Sequence, residues 1–379
     1  MARGPLRVLV VGQTPPPHHG QAVMIENLLG GRFEGVELSH VRMAFARNMG
    51  ELGRPSARKL ALLPVLVARV VAARLQGSQV LYYPPAGPDR RAMYRDLAVL
   101  LATRWMFPKT VLHFHAGGLC ELYPTLRPWL QALFRRAYGS PDVAIRTSAL
   151  APDDGAVVRA RRQLVVENGV VDVAGPDVAR ERPERAQPTI LFVGLLRESK
   201  GVLVLLDACA LLRSRGLAFR AELIGAFPSP EMEARLSGRT RALGLQDVVE
   251  LRGVLVGEDK HRVFAAADVF CFPSFFESET FGLVLVEAMQ FGLPVVATRW
   301  RGIPGIVDDG VNGFLVPVKD SEALAERLGR LLADRDLRLA MGARGRQKYE
   351  ERYTLARFHR GMQGVFDLLR EDPSSAKPT

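Results

Sequence analysis

Two carboxylates, Glu279 and Glu287, stand eight positions apart in Phe270-Cys-Phe-Pro-Ser-Phe-Phe-Glu-Ser-Glu279-Thr-Phe281-Gly282-Leu283-Val-Leu-Val-Glu287-Ala-Met-Gln-Phe-Gly292. From Phe281 to Ala297 the only strongly polar side chains are Glu287 and Gln290. A carboxylate buried without a partner in so apolar a helix costs on the order of several kcal/mol. Glu287 therefore calls for compensation, and a hydroxyl-bearing ligand such as a ribose is the natural candidate. Glu279 precedes the helix, where it either caps it, as Glu277 could, or faces a bound sugar. The amides at Phe281, Gly282 and Leu283 open the helix and suit a diphosphate, with Gly282 allowing close approach.

A second loop of the same kind lies at Gly194-Leu195-Leu-Arg197-Glu-Ser-Lys200-Gly201, between an apolar strand and a helix. Arg197 and Lys200 stand at the helix start, where cations oppose the helix dipole by roughly 0.3–1 kcal/mol each. A bound anion reverses that sign. Phosphate binding is the reading preferred here, with two solvated surface charges as the alternative.

The first half offers less. Gly20 follows the first strand and opens a helix, but Gly-x-Gly-x-x-Gly is absent, so a dinucleotide site is not indicated. His18 and His19 read as solvent-facing loop residues. His113 and His115 share one strand face by the period-two rule, and His115 ends its strand before a glycine pair, where α/β sites form. A metal held by these two has no nearby carboxylate or cysteine to complete it. Asp334-Arg-Asp336 reads as a solvated face, so no metal or other cofactor is expected.

The elements that must position these groups alternate strand and helix twice over. Strands are expected at 6–11, 80–83, 110–114 and 142–147, then at 189–193, 219–224, 248–252, 269–272 and 294–297. Helices fill the intervals, and three more follow to residue 369. Two doubly wound α/β domains result, with ligands at the carboxyl ends of their strands, in the cleft between the halves. The chain of 379 residues suits two such domains, which span 1–175 and 188–352. Residues 176–187, charged and proline-rich, form a linker. Residues 353–379 add a helix, available to pack back on the N-terminal domain, and a frayed tail.

Composition narrows the partners. The net charge is +11, and residues 1–175 hold 22 Lys and Arg against 12 Asp and Glu, so nearly all the excess is N-terminal. Residues 54–74 contain five cations and no acid, with Leu60, Leu63, Val67 and Leu75 at helical spacing and Pro64 as a kink. Such a helix suits either an anionic membrane face or a domain surface with basic ends. The chain shows no signal-peptide pattern and no spanning stretch, and its three cysteines read as buried thiols, so a cytoplasmic protein, peripheral on the inner membrane face, is expected.

With these residues in hand, the chain resembles the retaining family-4 glycosyltransferases of the GT-B fold, with two Rossmann-like domains facing across a central cleft. Glu279-x7-Glu287 enclosing Phe281-Gly282-Leu283, then Gly292-Leu-Pro-Val-Val, carries the resemblance most specifically. Gly194 with Lys200-Gly201, Asn168-Gly169-Val170, Gly302 and Asn312-Gly313-Phe314 extend it. Two departures stand out. Leu195 occupies the place of the usual arginine, leaving Arg197 as its substitute, and Gly305 replaces a frequent glutamate.

The resemblance implies transfer of a sugar from a UDP- or GDP-sugar to a hydroxyl acceptor, with retained configuration and no metal. It implies that Lys200 and Arg197 stabilise the departing diphosphate, assisted by the Phe281, Gly282 and Leu283 amides. Glu287 would hold the ribose, Glu279 the donor sugar, and His115 the charge developing near it, with Gly20 lining the donor site. The basic half by itself points to a polyprenyl-linked glycan or another bacterial surface polysaccharide precursor as the expected acceptor. A nucleotide-sugar epimerase of the same architecture is the alternative enzyme, but it leaves the basic half without a purpose. Nucleic-acid binding lacks a supporting motif and is not expected.

Overall fold

The computed structural model describes residues 4–45, 57–175 and 187–371. The chain forms two compact units, Met1–Gly169 with Leu355–Thr379, and Val170–Thr354. The first holds strands β1 (Leu6–Gly12), β2 (Val36–Arg42), β3 (Val80–Tyr83), β4 (Lys109–Phe114), β5 (Val143–Arg146) and β6 (Arg162–Val165). The second holds β7 (Thr189–Val193), β8 (Arg220–Ile224), β9 (Val249–Leu251), β10 (Val269–Phe272), β11 (Val295–Thr298) and β12 (Gly313–Val316). The sheet orders are β2-β1-β3-β4-β5-β6 and β12-β11-β10-β7-β8-β9, parallel throughout.

The central strands are legible as unbroken apolar runs because helices cover both faces of a parallel sheet. β4, β7 and β10 are buried at every position. Three strands are additions to the expected set, and all are edge strands: β2, β6 and β12. β2 alternates polar and apolar residues, and β6 (Arg-Gln-Leu-Val) is largely exposed. At these two edges the strand buries less, so it carries a weaker apolar signal; β12 is buried at all four positions.

The division at Gly169 falls ahead of the boundary placed at 175. Val170 is held in the second unit, its N–H donating to Tyr353 O at 3.0 Å and its carbonyl accepting from the Tyr349 hydroxyl at 3.1 Å. The linker expected at 176–187 lies outside the described residues except for Gln187, as does the tail 372–379. The helix Leu355–Glu371 belongs to the first unit and buries Phe358, Met362, Val365, Phe366 and Leu369. Their spacing marks one face of a 3.6-residue helix. The Phe33 ring meets Phe366 edge-on at 5.1 Å, and His359 Nε2 lies 2.8 Å from Asn27 O.

Among the described residues no helix is long and apolar enough to cross a membrane. Arg54 and Ser56, at the start of the basic segment, lie outside the described residues. From there the helix Ala57–Leu75 runs through Pro64. Cys209 and Cys271 are buried, but Cys120 is only half-buried, a departure from the reading of three buried thiols. Burial and the nearby Asp154 push its thiol up to about 12.

Candidate active site

The second sheet reverses its winding between β7 and β10: one branch runs β7-β8-β9 and the other β10-β11-β12. Loops leaving the carboxyl ends of two such neighbours diverge and open a crevice, the usual ligand position in this architecture. Both sequence-marked loops of this unit leave these two strands.

After β7 the chain passes through Arg197 into a short 3-10 turn, Glu198–Lys200, then Gly201 and the helix Val202–Ser214. Gly201 has φ +78°, and a Cβ there would lie 2.1 Å from Pro273 O. Only glycine lets this loop touch the one after β10. The contact is fastened by Phe275 N donating to Ser199 O at 2.8 Å. After β10 the chain runs from Pro273 to Gly282 before the helix Leu283–Gln290. Trp300 Nε1 donates to Phe276 O at 2.9 Å and braces that loop. Gly302 packs against it so closely that a Cβ would lie 1.7 Å from Thr280 O.

This backbone brings Lys200 and Glu279 together. Lys200 Nζ donates to Glu279 Oε2 at 2.6 Å, and the side chains are 16% and 9% exposed. The same oxygen accepts from Ser274 Oγ at 3.2 Å. Glu279 is therefore a buried ion-pair partner rather than a helix cap; Gly282 occupies the cap position. Lys200 Nζ also lies 4.7 Å from the Phe276 ring centre and 5.2 Å from that of Phe272. Arg197 shares the Phe276 ring, its guanidinium 4.8 Å from the centre, and reaches Glu277 at 3.7 Å. Two cations thus converge on one aromatic side chain, a cation–π arrangement that holds them near each other against their repulsion.

Glu287 differs from expectation. It is only partly buried, at 19% side-chain exposure, and Lys260 Nζ donates to both its oxygens at 2.7 Å. Its compensation is a lysine from the helix Gly257–Ala266, not a ligand alone. The helix bearing Glu287 is not apolar all round: Leu283, Val284 and Glu287 form its half-exposed stripe. Lys260, Ser274 and Phe276 were not singled out by sequence. Lys260 is 27 positions from its partner, and no local pattern links them.

The remaining candidates lie in the first unit. Gly20 begins the helix Gly20–Leu29, and a Cβ there would meet nothing within 4 Å, so packing does not demand a glycine. His19 is not solvent-facing: its Nδ1 caps that helix, accepting from Ala22 N at 3.4 Å, and its Nε2 is buried. Burial, with His18 adding, lowers its pKa to about 4. His113 and His115 do share one face, their rings stacked 3.9 Å apart. Burial and the neighbouring His19 lower His115 to about 3. His113 is fully buried, with Tyr82 Oη 2.6 Å from its Nδ1. Burial raises the Tyr82 pKa, so its hydroxyl keeps its proton beside the neutral His113 ring. Around neutral pH these imidazoles are uncharged.

Among the described residues no group of three or more His, Cys, Asp or Glu is placed to hold a metal ion. Asp334 instead caps the helix Arg335–Lys348, accepting from Leu337 N at 2.9 Å.

Two facing loops at a winding reversal, one carrying Lys200 and Arg197 and one opening a helix with its amides, lie where doubly wound folds place a ligand crevice. The family profile of the glycosyl transferases group 1 matches residues 177–348. The chain is 30% identical over 302 residues to the colanic acid biosynthesis glycosyltransferase WcaL of Escherichia coli, covering 76% of this chain and 70% of that protein. It is 34% identical over 196 residues to a D-inositol 3-phosphate glycosyltransferase of Saccharomonospora viridis, where it spans 50% of this chain but only 44% of the relative. The solved structure of Anabaena HepE in complex with UDP superposes with a TM-score of 0.70 at 19% identity, covering 96% of this chain and all (100%) of that one. The fold is GT-B, and the chain belongs to the group 1 glycosyltransferases.

Proposed function

We propose that this chain transfers a sugar from a UDP- or GDP-sugar to a hydroxyl acceptor, retaining the anomeric configuration and using no metal. The observation that carries the proposal is the buried Lys200–Glu279 pair at the β7/β10 reversal, with Arg197 on the same Phe276 ring. A leaving diphosphate needs positive charge where its own charge grows, and preorganised charge is usually the largest catalytic term. Lys200, Arg197 and the amides at Phe281–Leu283 are of that kind. Glu277 is exposed and weakly engaged, so an arriving diphosphate takes Arg197 from it at little cost. Lys200 keeps Glu279 as it turns to the phosphate, and Glu279 is thereby fixed for the donor sugar. We assign Glu287 to the ribose, with Lys260 holding its carboxylate in place. His115, as neutral imidazole, and Gly20 complete the proposed donor contacts.

We further propose a lipid-linked glycan as acceptor, in bacterial surface polysaccharide or glycolipid synthesis on the cytoplasmic face of the membrane. The name of WcaL, a colanic acid biosynthesis protein, favours such a product. A thermal-shift panel of nucleoside diphosphates tests the donor reading. One base should stabilise the protein, by about 2.7 kcal/mol at a hundredfold excess over its Kd. Equal, negligible shifts with every nucleotide would count against it. Product anomers read by NMR test retention, and turnover after exhaustive chelation tests the metal.

A further inference from the structure

The helices Ala57–Leu75, Arg90–Thr103 and Pro128–Tyr138 pack side by side in the first unit, the middle one touching both others. A surface helix ordinarily turns polar residues outward. Here the first helix buries Leu66 and Val70, yet among its described side chains the exposed stripe is Ala61, Pro64, Val65, Ala68, Ala72 and Leu75, interrupted only by Arg69. Its neighbours continue the pattern. Tyr94 is 49% exposed, Trp129 57% and Leu133 36%, the last two a helical turn apart. Trp105, just past the middle helix, is 70% exposed, and Leu75 77%. Among the described residues, every highly exposed aromatic side chain lies on this layer. Arg74 Nε donates to Met106 O at 2.7 Å and Arg104 to Ala137 O at 2.9 Å, which ties the helix ends together and sets Leu75 and Trp105 at one end of the layer.

The charge is equally one-sided. Residues 57–75, 90–106 and 127–138 contain eleven Lys and Arg and a single acid, Asp96. Asp96 is fully buried and paired with Arg95 at 2.7 Å, so it presents no negative charge outward. Asp89 stands just outside, capping the middle helix. Exposed tryptophans, aliphatic side chains and arginines on one face, without acids, match the region where lipid headgroups meet acyl chains. Arginine stems reach along such a surface while their heads stay in water. A folded acidic protein would match the charge, but it leaves the aliphatic stripe without a partner.

We propose that this three-helix face docks on an anionic bilayer, with Trp105, Trp129, Leu75 and Val65 entering the interface and Arg69, Arg91 and Arg136 engaging the headgroups. This deepens the acceptor reading above, yet surface binding as such does not depend on sugar transfer. The test is co-sedimentation of the full chain with vesicles of phosphatidylcholine alone or mixed with phosphatidylglycerol, with tryptophan emission recorded in parallel. Binding is expected to the mixed vesicles only, to weaken with added salt, and to shift the emission to the blue. The pairs Trp105→Ser/Trp129→Ser and Arg69→Glu/Arg136→Glu should each weaken it by about tenfold or more, on a scale of roughly fivefold per surface charge. Nucleotide-induced thermal stabilisation, read on the same variants, should stay unchanged; it reports folding, and it separates failure of docking from failure of the donor assignment. Absence of binding, equal binding to neutral vesicles, or wild-type binding by both variants would overturn the proposal. So would loss, in these variants, of a self-association seen without lipid, which would make the face an interface between two copies of the chain.

Discussion

Removing the Lys200 charge tests the active-site geometry most directly. In Lys200→Met the stem remains on the Phe272 and Phe276 rings, but Glu279 keeps only the Ser274 hydroxyl, at 3.2 Å. Breaking a buried ion pair costs about 3–5 kcal/mol, because the surviving charge is left uncompensated. With side chains 16% and 9% exposed, the lower end applies, about 3 kcal/mol. For a unit of this size that lowers Tm by roughly 6–12 °C. Adding Glu279→Gln removes the stranded charge and should recover most of the loss, giving a coupling energy of about 1–3 kcal/mol in a double-mutant cycle. Thermal and urea unfolding supply the stability terms, and donor turnover is measured on each variant. All three should be inactive, so the stable double variant separates catalysis from folding. A Lys200→Met protein within about 0.5 kcal/mol of wild type, or a double variant no more stable than the single, would refute the reasoning.

The other predictions concern the groups around this pair and the histidines. Glu287→Ala should raise the donor KM and abolish nucleotide stabilisation, and Lys260→Met should do the same more mildly, since Glu287 keeps its charge but loses its anchor; calorimetric titration with the preferred nucleotide checks both. Gly302→Ala drives a methyl into Thr280 O and should cost about 1–3 kcal/mol while weakening nucleotide binding, read by urea unfolding and the same titration. His19 is held neutral in the folded state, with its pKa lowered to about 4, so the unfolded chain binds its proton first as the pH falls. Stability should therefore be full above about pH 6.5 and decline between there and about 4, by at most about 1.4 kcal/mol per pH unit for this residue. His19→Asn keeps a capping oxygen and removes the titration, so its urea midpoint should fall less steeply over that window than the wild type's.

Much of the architecture was legible because it repeats. Central strands such as Thr189–Val193 and Val269–Phe272 are short apolar runs bounded by loop residues, and amphipathic helices separate them. The strands outside the expected set, β2, β6 and β12, lie at sheet edges; β2 and β6 are incompletely buried, whereas β12 is buried at all four positions and burial does not explain its omission. His19 was misread because an imidazole can cap a helix from a loop whose letters look solvated. The lysine partner of Glu287 was not legible because the helix carrying it turns a narrow half-exposed stripe toward Lys260, an arrangement that a run of apolar letters conceals.

The sequence by itself determined which chemistry is available: two loops at helix starts, one with cations and one with glycine and carboxylates, in an alternating strand–helix order. That much is local, since helix ends, apolar periodicity and residue type act over a few positions. Which charges meet was decided only by the tertiary structure. Lys200 reaches Glu279 across 79 positions because β7 and β10 are neighbours at the winding reversal, and Gly201 lets their loops touch. Ion pairing falls off steeply with distance and depends on burial, and both are properties of the folded chain.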